Sequence, residues 1–516
     1  MNNAPDIVIG PPGTGKTTRL LGMVEEALAR GVPPERVGFI TFTKLGAGEA
    51  AERAAIKFGL TKSRLRWFRT IHSLCFQAVS VNSGDVLEGK KILEFGDWIG
   101  TKLSPSYSME EGSTFGYEAG DRAMFMENLA RVRCIPLRQQ YDQNDDNLPW
   151  TLVERIARGL AEFKRNRGLV DYTDMLQMFV DGSWIPELDE LYVDEGQDLS
   201  ELQWRVVWKI AEGVWARGGR VVVAGDDDQA IYRWAGAAVE RFVDMPGRVQ
   251  VLGQSWRVPS SAQELCAEII GRVRHRRPKE WKPRQLDDKM RGEGLTLNGE
   301  IRRVGKFYDA DIWGKDVLIL GRNAFYLRPV MDWLRSEGCV FEWRGHPSVT
   351  RSTMEAIVSW ERLRKGEAIT GDEARTVYDR MSSGVGVKRG HKKLTAFGEN
   401  DQVTMKDLMD RGGLMTDRIW HEALDRVPAE ERSYMLRARQ RGESLQKRPR
   451  VRVGTMHGAK GGQADHVIVL RDMASRTYAE MRENPEDEHR VQYVAASRTR
   501  QLMTVVAPTG RASYDI

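Results

Sequence analysis

A glycine-rich run near the start of the chain has the composition and spacing of a phosphate-binding loop. Residues 10–17 read Gly-Pro-Pro-Gly-Thr-Gly-Lys-Thr, which fits the pattern G-x-x-x-x-G-K-[ST]. In such a loop backbone N–H groups converge on phosphate oxygens, Lys16 reaches the β and γ phosphates, and the Thr17 hydroxyl can bind Mg²⁺. The predicted phosphate site comprises Gly10, Pro11, Pro12, Gly13, Thr14, Gly15, Lys16, Thr17 and Thr18.

Two adjacent carboxylates could complete the chemistry that this loop begins. Asp194 and Glu195 directly follow the apolar run 191–193. Asp194 would hold Mg²⁺ through water, and Glu195 would act as the general base that activates the attacking water. Two neighbouring acids on their own are usually a solvated turn. Their position after a strand-like run, in a chain that also has the phosphate loop, favours the catalytic interpretation.

Two arginines in the second half of the chain are candidates to stabilise the transition state. Phosphoryl transfer spreads negative charge over the γ-phosphoryl oxygens, and a positive group from another domain accelerates it by roughly 10³ to 10⁵. We select Arg257 and Arg498 because each follows a strand-like segment, at 254–256 and 493–497. The alternative for either residue is an ordinary surface arginine.

These candidates need strands and helices that bring them together. A strand, a glycine-rich turn and a helix are predicted at 7–9, 10–16 and 17–30. Ser200 and Gln203 form a capping box that should begin a helix just after the two acids. Further strands are predicted at 37–42, 191–193, 221–224, 317–320, 466–470 and 503–507. The pattern indicates an α/β fold with two parallel sheets flanked by helices.

Two long intervals have helical periodicity and lack strand signals, so each is interpreted as a helical insertion into one of the α/β units. The predicted first α/β domain is formed by 1–80 plus 169–250 and is interrupted by a helical insertion at 81–168. The predicted second α/β domain is formed by 251–346 plus 446–516 and is interrupted by a compact helical insertion at 347–445.

Composition is that of a multi-domain globular protein. Of 516 residues, 41% are apolar and 29% charged, and the four cysteines have no Cys-x-x-Cys spacing, so reduced thiols are expected. No apolar run or leader suggests membrane insertion or secretion, which predicts a cytoplasmic protein without a membrane partner. The net charge is only +5, but 272–291 and 437–452 are strongly basic. Either segment could contact phosphates or form a solvated basic helix face.

Further short segments complete an ordered set of motifs. They are Thr-Phe-Thr-Lys at 41–44, Thr-Ile-His-Ser-Leu-Cys at 70–75, Asp-Tyr-Thr-Asp-Met-Leu at 171–176, Gly-Asp-Asp-Asp-Gln-Ala-Ile-Tyr-Arg-Trp-Ala-Gly at 225–236, Val-Gly-Thr-Met-His-Gly-Ala-Lys-Gly at 453–461, and the segment 488–498. Together with the phosphate loop and the acid pair, this set resembles the UvrD/Rep branch of superfamily 1 DNA helicases.

The resemblance implies two RecA-like domains with ATP and Mg²⁺ bound between them. By this resemblance Gln229 senses the γ-phosphate, Arg257 and Arg498 are arginine fingers, Trp256 stacks on the base, and Gly461 and Gln463 approach the ribose. Thr17 and Asp194 would hold the metal. The positions that would meet DNA are Phe42, Thr43, His72, Tyr232, Trp234, Thr455 and His457. For each aromatic residue the alternative is core packing.

Three departures from the family pattern suggest relaxed nucleotide choice. No glutamine precedes Gly10 to read adenine, Trp256 stands where the family usually has tyrosine, and Gln463 replaces an acidic residue. The second insertion is shorter than usual for the family, and a phage or mobile-element origin stays open. Because the chain stops at Ile516, any nuclease is expected to be a separate partner.

The sequence therefore predicts an ATP-dependent DNA helicase and single-stranded DNA translocase that moves 3′→5′. Its expected partners are single-stranded DNA, junctions of single-stranded and duplex DNA, and separate nuclease, replication or repair proteins. One alternative is a translocase that displaces proteins or powers a nuclease with little unwinding. Another is a nucleotide-gated DNA-binding module, which would not need a water-activating acid.

Overall fold

The computed structural model describes residues 3–41, 44–105, 118–144 and 147–516, without the side chains of 44–47, 49, 50 and 62. In these ranges no helix combines the length and the apolar composition needed to cross a membrane. The predicted DNA contacts Phe42 and Thr43 lie outside the described residues.

The first sheet is parallel throughout, and its apolar strands are covered on both faces. Its order is β3-β2-β4-β5-β1-β6, and the pairings along it are all parallel. Separate clusters of buried side chains lie on its two faces, as expected for strands buried on both sides. The strands are β1 (Asp6–Ile9), β2 (Val37–Thr41), β3 (Phe68–Thr70), β4 (Glu190–Val193), β5 (Arg220–Gly225) and β6 (Arg248–Val251).

Three of the helices that flank this sheet begin at a residue whose side chain caps the first turn, namely Thr70, Asp171 and Ser200. The Ser200 hydroxyl accepts a hydrogen bond from the Gln203 backbone N–H, and the Gln203 side-chain oxygen accepts one from the Ser200 backbone N–H, so the predicted capping box is confirmed. The helices are α1 (Lys16–Ala29), α2 (Lys44–Phe58), α3 (Ile71–Ala78), α8 (Tyr172–Asp181), α9 (Glu201–Ala216) and α10 (Val239–Val243).

The interval after α3 is helical, as predicted, and has a small core of its own. Phe95 and Phe163 are buried in this core with their ring centroids 5.3 Å apart. The helices are α4 (Lys90–Ile99), α5 (Ala119–Val132), α6 (Leu137–Asp142) and α7 (Trp150–Arg167).

The second sheet has the order β10-β9-β13-β8-β14-β15-β7. Its pairings are parallel except for the short edge pair β10 and β9, and apolar clusters again cover both faces. Its strands are β7 (Glu300–Val304), β8 (Val317–Gly321), β9 (Phe341–Trp343), β10 (His346–Pro347), β13 (Val451–Thr455), β14 (Ala464–Leu470) and β15 (Thr499–Val506). The helices of this part are α11 (Ser260–Ile270), α12 (Asp288–Gly292), α13 (Arg328–Ser336), α19 (Ser475–Glu483) and α20 (Pro485–Ala496).

The second insertion is mostly helical and packs around Trp360 and Tyr378, which are fully buried. It also contains a two-stranded antiparallel ladder that the sequence analysis did not predict, β11 (Ile369–Thr370) and β12 (Gln402–Val403). Its helices are α14 (Arg351–Arg364), α15 (Gly371–Asp379), α16 (Met405–Asp410), α17 (Trp420–Ala423) and α18 (Ala429–Gln440).

The predicted α/β class with parallel sheets flanked by helices is confirmed, whereas the four domain boundaries stay predictions. The expectation of reduced cysteines is also confirmed, because Cys75, Cys134, Cys266 and Cys339 are free thiols. Burial raises the pKa of the Cys75 and Cys339 thiols to about 12, so neither thiol ionises at neutral pH.

Candidate active site

The phosphate loop joins β1 to α1 and is shaped by two left-handed glycines. Gly13 has φ +76° and Gly15 has φ +82°, a backbone conformation that residues other than glycine rarely adopt. The Lys16 ammonium donates to the Gly10 carbonyl oxygen at 2.7 Å, and the Thr14 hydroxyl donates to the Pro11 oxygen at 2.8 Å. The loop is thus held by its own polar groups, with Lys16 folded across it.

Asp194 and Thr17 form a pair suited to a hard cation. The Thr17 hydroxyl donates to Asp194 Oδ2 at 2.6 Å, across 177 residues of sequence, because β4 lies in the same sheet as β1. Burial, and then the neighbouring Glu195 charge, raise the pKa of Asp194 to about 6. A divalent cation would favour the ionised form, so this hydroxyl and carboxylate fit Mg²⁺.

Glu195 is the second residue after β4 and has a strained backbone conformation. Its φ of 57° and ψ of 41° lie in the left-handed region. Gln197 Nε2 donates to Glu195 Oε2 at 2.5 Å. Burial acts to raise the pKa of Glu195, but Lys460, Lys16 and the Gln197 hydrogen bond outweigh it and lower that pKa. Glu195 is therefore ionised at neutral pH, as a general base must be.

Gln229 connects the end of β5 to the second half of the chain. Its Nε2 donates to Asp226 Oδ2 at 2.7 Å, and its Oε1 accepts from Arg498 Nη2 at 3.0 Å. The Lys460 ammonium donates to the backbone carbonyl oxygen of Gln229 at 2.8 Å and also forms an ion pair with Asp198. Two cations from the second half therefore contact the first at this point.

Arg257 lies against the phosphate loop. A methyl group on Gly13 would stand 2.6 Å from Arg257 Cβ, and the Trp256 N–H donates to the Gly13 oxygen at 2.8 Å. Burial, followed by the Arg498 and Arg500 charges, lowers the pKa of Arg257 to about 9. Its Nε is buried without a hydrogen-bond partner. Arginines brought together in this way fit an anionic ligand.

The local setting of Arg498 differs from the prediction. Residues 493–497 were expected to be strand-like, but 493–496 are the last residues of α20 and Ser497 caps it. Arg498 stands between this helix and β15, with Nε donating to the Val494 carbonyl oxygen at 2.9 Å. The apolar residues Val494, Ala495 and Ala496 are buried against neighbouring helices rather than within the sheet. A short apolar run does not distinguish a buried helix from a strand.

The residues predicted to bind the base and ribose are accessible. Trp256 is 53% exposed beside the phosphate loop, so its ring is free to stack on a base. Gly461 and Gln463 are also exposed, and the Gln463 backbone oxygen accepts from Arg452 at 2.9 Å. Thr18 is exposed at the start of α1, while Pro11 and Pro12 are buried in the loop.

The predicted DNA contacts fall into two groups. Tyr232 and His457 are only 7% and 3% exposed, and Lys460 lies 5.1 Å from the Tyr232 ring centroid. Packing covers most of the Tyr232 ring in this structure, and its contact with DNA stays a prediction. Burial also lowers the pKa of His457 well below its usual value and keeps it neutral.

The other predicted DNA contacts are half-buried and reach solvent. The Trp234 ring stacks on Phe125 with centroids 6.2 Å apart and meets His457 edge-on at the same distance. His72 meets Tyr172, 46% exposed, edge-on at 6.0 Å. The Thr455 hydroxyl accepts from the Gly458 N–H at 3.2 Å.

The two basic segments form extensive internal ion pairs. In the first, Lys279 and Arg276 pair with the carboxylates that follow β5. In the second, Arg448 pairs with Glu342 at 3.1 Å, Arg452 with Asp316 at 2.7 Å, and Arg450 with Glu443. These contacts support neither a purely phosphate-binding surface nor a purely solvated helix face.

Gln197, Asp226 and Lys460 are site residues to which the sequence analysis gave no role. Gln197 links two parts of the site, because its Oε1 accepts from the Asp226 N–H at 2.9 Å while its Nε2 holds Glu195. Asp226 and Lys460 lie inside motifs already quoted, and Gln197 stands two residues after Glu195, which was the available signal. The contacts that join Gln197 to Asp226 and Lys460 to Asp198 span 29 and 262 residues of sequence, so only the fold identifies them.

Known helicases resemble this chain in sequence. Residues 2–250 match the family model described as the UvrD/REP helicase N-terminal domain. The ATP-dependent DNA helicase PcrA of Bacillus subtilis is 25% identical over 397 residues, which is 70% of this chain and 51% of that protein. DNA helicase II of Escherichia coli is 26% identical over 284 residues, 51% of this chain and 38% of that protein.

A third similar protein is the putative ATP-dependent DNA helicase YjcD of Bacillus subtilis, 25% identical over 260 residues, 46% of this chain and 32% of that protein. The alignments thus span about a third to a half of the length of these curated relatives. Residues 2–250 are therefore similar to a UvrD/REP helicase N-terminal domain, and the chain is related in sequence to the UvrD/Rep-type helicases.

Proposed function

We propose that this chain is an ATP-dependent DNA helicase and translocase that moves 3′→5′ along single-stranded DNA. The observation that supports this proposal is that functional groups from the first and second halves of the chain come into contact. The phosphate loop, Asp194 and Glu195 come from the first sheet, and Arg498 reaches Gln229 from the second half of the chain at 3.0 Å. A cleft with a general base, Glu195, on one side and arginines on the other suits γ-phosphoryl transfer to water.

In the proposed mechanism, Lys16 leaves the Gly10 oxygen to bind the β and γ phosphates. Thr17 and Asp194 would hold Mg²⁺, which would supply positive charge to offset the charge developing on the phosphate oxygens. Glu195, ionised and oriented by Gln197, accepts a proton from the attacking water. Arg257 and Arg498 stabilise the charge that develops on the γ-phosphoryl oxygens.

Coupling to DNA would follow from the contacts that cross the cleft. Arg498 holds Gln229, and Lys460 holds Asp198. A γ-phosphate would compete for Arg498, so ATP binding and hydrolysis would change how the two halves contact each other. Alternating cleft states of this kind can step a motor along a strand.

For DNA, we propose that Trp234 and His72 contact bases, with Thr455 nearby, because their rings reach solvent. Stacking on an aromatic ring stabilises a bound base by about 1 to 3 kcal/mol. Junctions of single-stranded and duplex DNA, separate nuclease or repair partners, and a cytoplasmic location belong to the same proposal, as do the four domain boundaries predicted from sequence.

Nucleotide choice is proposed to be relaxed. Trp256 offers a ring to stack on any base, and Gln463 offers hydrogen bonds to a ribose without a charge. GTP should therefore support hydrolysis within about tenfold of the ATP rate, since stacking does not discriminate between purines. A strict ATP requirement would contradict this part of the proposal.

Unwinding of tailed duplexes, followed alongside ATP hydrolysis, tests the function. Duplexes with a 3′ or a 5′ single-stranded tail are compared at equal tail length, with Mg²⁺ and ATP. The proposal expects unwinding only with the 3′ tail. A requirement for a 5′ tail would overturn the direction, and hydrolysis stimulated by single strands without unwinding would favour a translocase.

A further inference from the structure

Lys279 lies buried among three consecutive carboxylates near the active site. Its ammonium is 2.8 Å from Asp226, 2.5 Å from Asp227 and 3.1 Å from Asp228, and its side chain is 1% exposed. The carboxylates follow β5 in the first sheet, whereas Lys279 follows α11 in the second half of the chain. This contact therefore joins the two halves of the cleft.

The cluster has the arrangement of a cation site, with the lysine as its cation. One oxygen from each of the three carboxylates lies within 4.8 Å of the others, and at this spacing the carboxylates would repel one another strongly if no positive charge stood between them. Burying such a group costs free energy unless the charges are compensated. Lys279 supplies that compensation, and Arg276 adds a second positive charge at Asp228.

Asp226 divides its two oxygens between Lys279 and the γ-phosphate sensor. Lys279 donates to Oδ1 at 2.8 Å, and Gln229 Nε2 donates to Oδ2 at 2.7 Å. The backbone N–H of Asp226 donates to Gln197, which also holds Glu195. Asp226 is thus fixed on every side.

This arrangement determines which way the Gln229 amide faces. An ionised carboxylate only accepts hydrogen bonds, and a guanidinium only donates them. The side-chain amide of Gln229 must therefore point its NH₂ group toward Asp226 and its oxygen, Oε1, toward Arg498. If Asp226 moved or lost its charge, the Gln229 amide would be held by Arg498 alone and could pivot away from the geometry seen here.

We propose that Lys279 is a positioning residue for ATP hydrolysis, because it holds Asp226 so that Gln229 presents its carbonyl oxygen to Arg498. The inference rests on the proposed function. Lys279 touches neither nucleotide nor water in this account and acts only through Asp226. Its loss should slow the chemical step and leave ATP binding almost unchanged.

Arg276 provides a matched control. It pairs with Asp228 in the same cluster, through Nε at 2.7 Å and through Nη2, and it comes from the same segment as Lys279. Among the described residues, the side-chain hydrogen bonds and ion pair of Arg276 are with Asp228 rather than with Asp226 or Gln229. If the cluster served only to join the two halves, Lys279 and Arg276 would have the same kind of effect.

The test compares Lys279→Met and Arg276→Met in the full chain. Melting temperature, ATP KM and kcat are measured with saturating oligo-dT. Both variants should melt at lower temperature. Lys279→Met should lower kcat by at least about tenfold with KM within about threefold, since misorientation of catalytic groups costs mainly turnover. Arg276→Met should keep kcat within about twofold.

A double variant tests whether Lys279 acts through Asp226. Asp226→Asn should show the same loss of kcat with little change in KM, and Lys279→Met combined with Asp226→Asn should be no slower than the slower single variant. If Lys279→Met does not fold, Asp226→Asn alone is the test, and normal turnover would overturn the proposal.

Other outcomes separate this inference from the function on which it rests. Full turnover in Lys279→Met, or an equal loss of kcat in Arg276→Met, would overturn the positioning role while the ATPase function stands. Absence of DNA-stimulated hydrolysis in the wild-type chain would instead overturn the proposed function.

Discussion

At the scale of single residues, the strained backbone of Glu195 is central to the account. A left-handed conformation costs a non-glycine residue about 1 to 2 kcal/mol. Here the Glu195 N–H donates to Asp194 Oδ1 at 3.0 Å, and its carbonyl oxygen accepts from the Asp198 N–H at 3.0 Å. The turn therefore keeps the Glu195 carboxylate within reach of Gln197 at the end of β4, where hydrolysis needs a base.

Gly13 is the point at which the phosphate loop and Arg257 come closest. In Gly13→Ala the new methyl group would stand 2.6 Å from Arg257 Cβ and 2.8 Å from the Ser255 hydroxyl. We expect kcat/KM for ATP to fall by at least about tenfold, because Arg257 is displaced. Steady-state hydrolysis with oligo-dT measures this.

Gly31→Ala is the matched control for that substitution. Gly31 also has a positive φ, +92°, but a methyl group there meets nothing within 4 Å. It should carry the backbone strain, about 1 kcal/mol, with kcat/KM near that of the wild type. Equal losses in both variants would mean that strain, rather than contact with Arg257, causes the effect.

Short sequence motifs were enough to predict some of the site residues but not others. Lys16, Asp194 and Glu195 lie in short motifs next to predicted strands, and the fold brings them together. Lys279 could not be predicted, because its partners are about fifty residues away and the basic segment around it also suited a surface face. The burial of Tyr232 likewise depends on packing that one sequence does not display.

At the scale of elements, the start of α8 anchors the first insertion to the first sheet domain. Asp171 caps α8 in a capping box with Asp174. Arg131 of α5 and Lys164 of α7 both pair with these two carboxylates, at 2.5 to 2.8 Å. These cations hold the pKa of Asp171 well below its usual value although burial acts to raise it.

Removing Asp174 should therefore loosen this anchor. Asp174→Ala loses the reciprocal cap and both ion pairs, and we expect the free energy of unfolding to fall by about 1 to 3 kcal/mol. Urea denaturation measures this. The control is Glu355→Ala, which removes an exposed pair with Arg351 on α14 and should change stability by less than about 0.5 kcal/mol. Similar losses would refute the anchor.

His466, which lies in β14, should make the free energy of unfolding of the protein depend on pH. Burial lowers its pKa to about 4. As the pH falls below about 6.5 the unfolded chain binds the proton first, so stability present above pH 6.5 is lost as the pH falls toward 4.

Between pH 7.5 and pH 5 the wild type should accordingly lose about 2 kcal/mol more than His466→Gln. Urea denaturation of both proteins at the two pH values measures the difference. Equal losses would show that His466 is not held neutral by the fold.

The elements were predicted best where apolar strands precede the motif residues. β1, β4, β5 and β8 were predicted to within one or two residues, because both sheet faces are buried and the strands are continuously apolar. β6 alternates polar and apolar residues, is exposed along Arg248–Val251 and gave no continuous apolar signal. The last turn of α20 was mistaken for a strand because its residues are small, apolar and buried.

At the scale of the whole molecule, contacts made by cationic side chains join the two halves of the cleft. Arg498 meets Gln229, Lys460 meets Asp198, and Lys279 meets Asp226. Each contact pairs a cation of the second half with a group at the carboxyl edge of the first sheet. A triphosphate bound there would draw some of these cations to itself, which connects nucleotide state to the relation between the halves.

The most direct measurement is ATP hydrolysis by the wild type and by Glu195→Gln, with Mg²⁺, in the presence and absence of oligo-dT. The account predicts that oligo-dT stimulates the wild type, and that Glu195→Gln lowers kcat by at least about 10² while binding ATP with nearly unchanged affinity. Wild-type hydrolysis indifferent to DNA, or substantial turnover by Glu195→Gln, would contradict it.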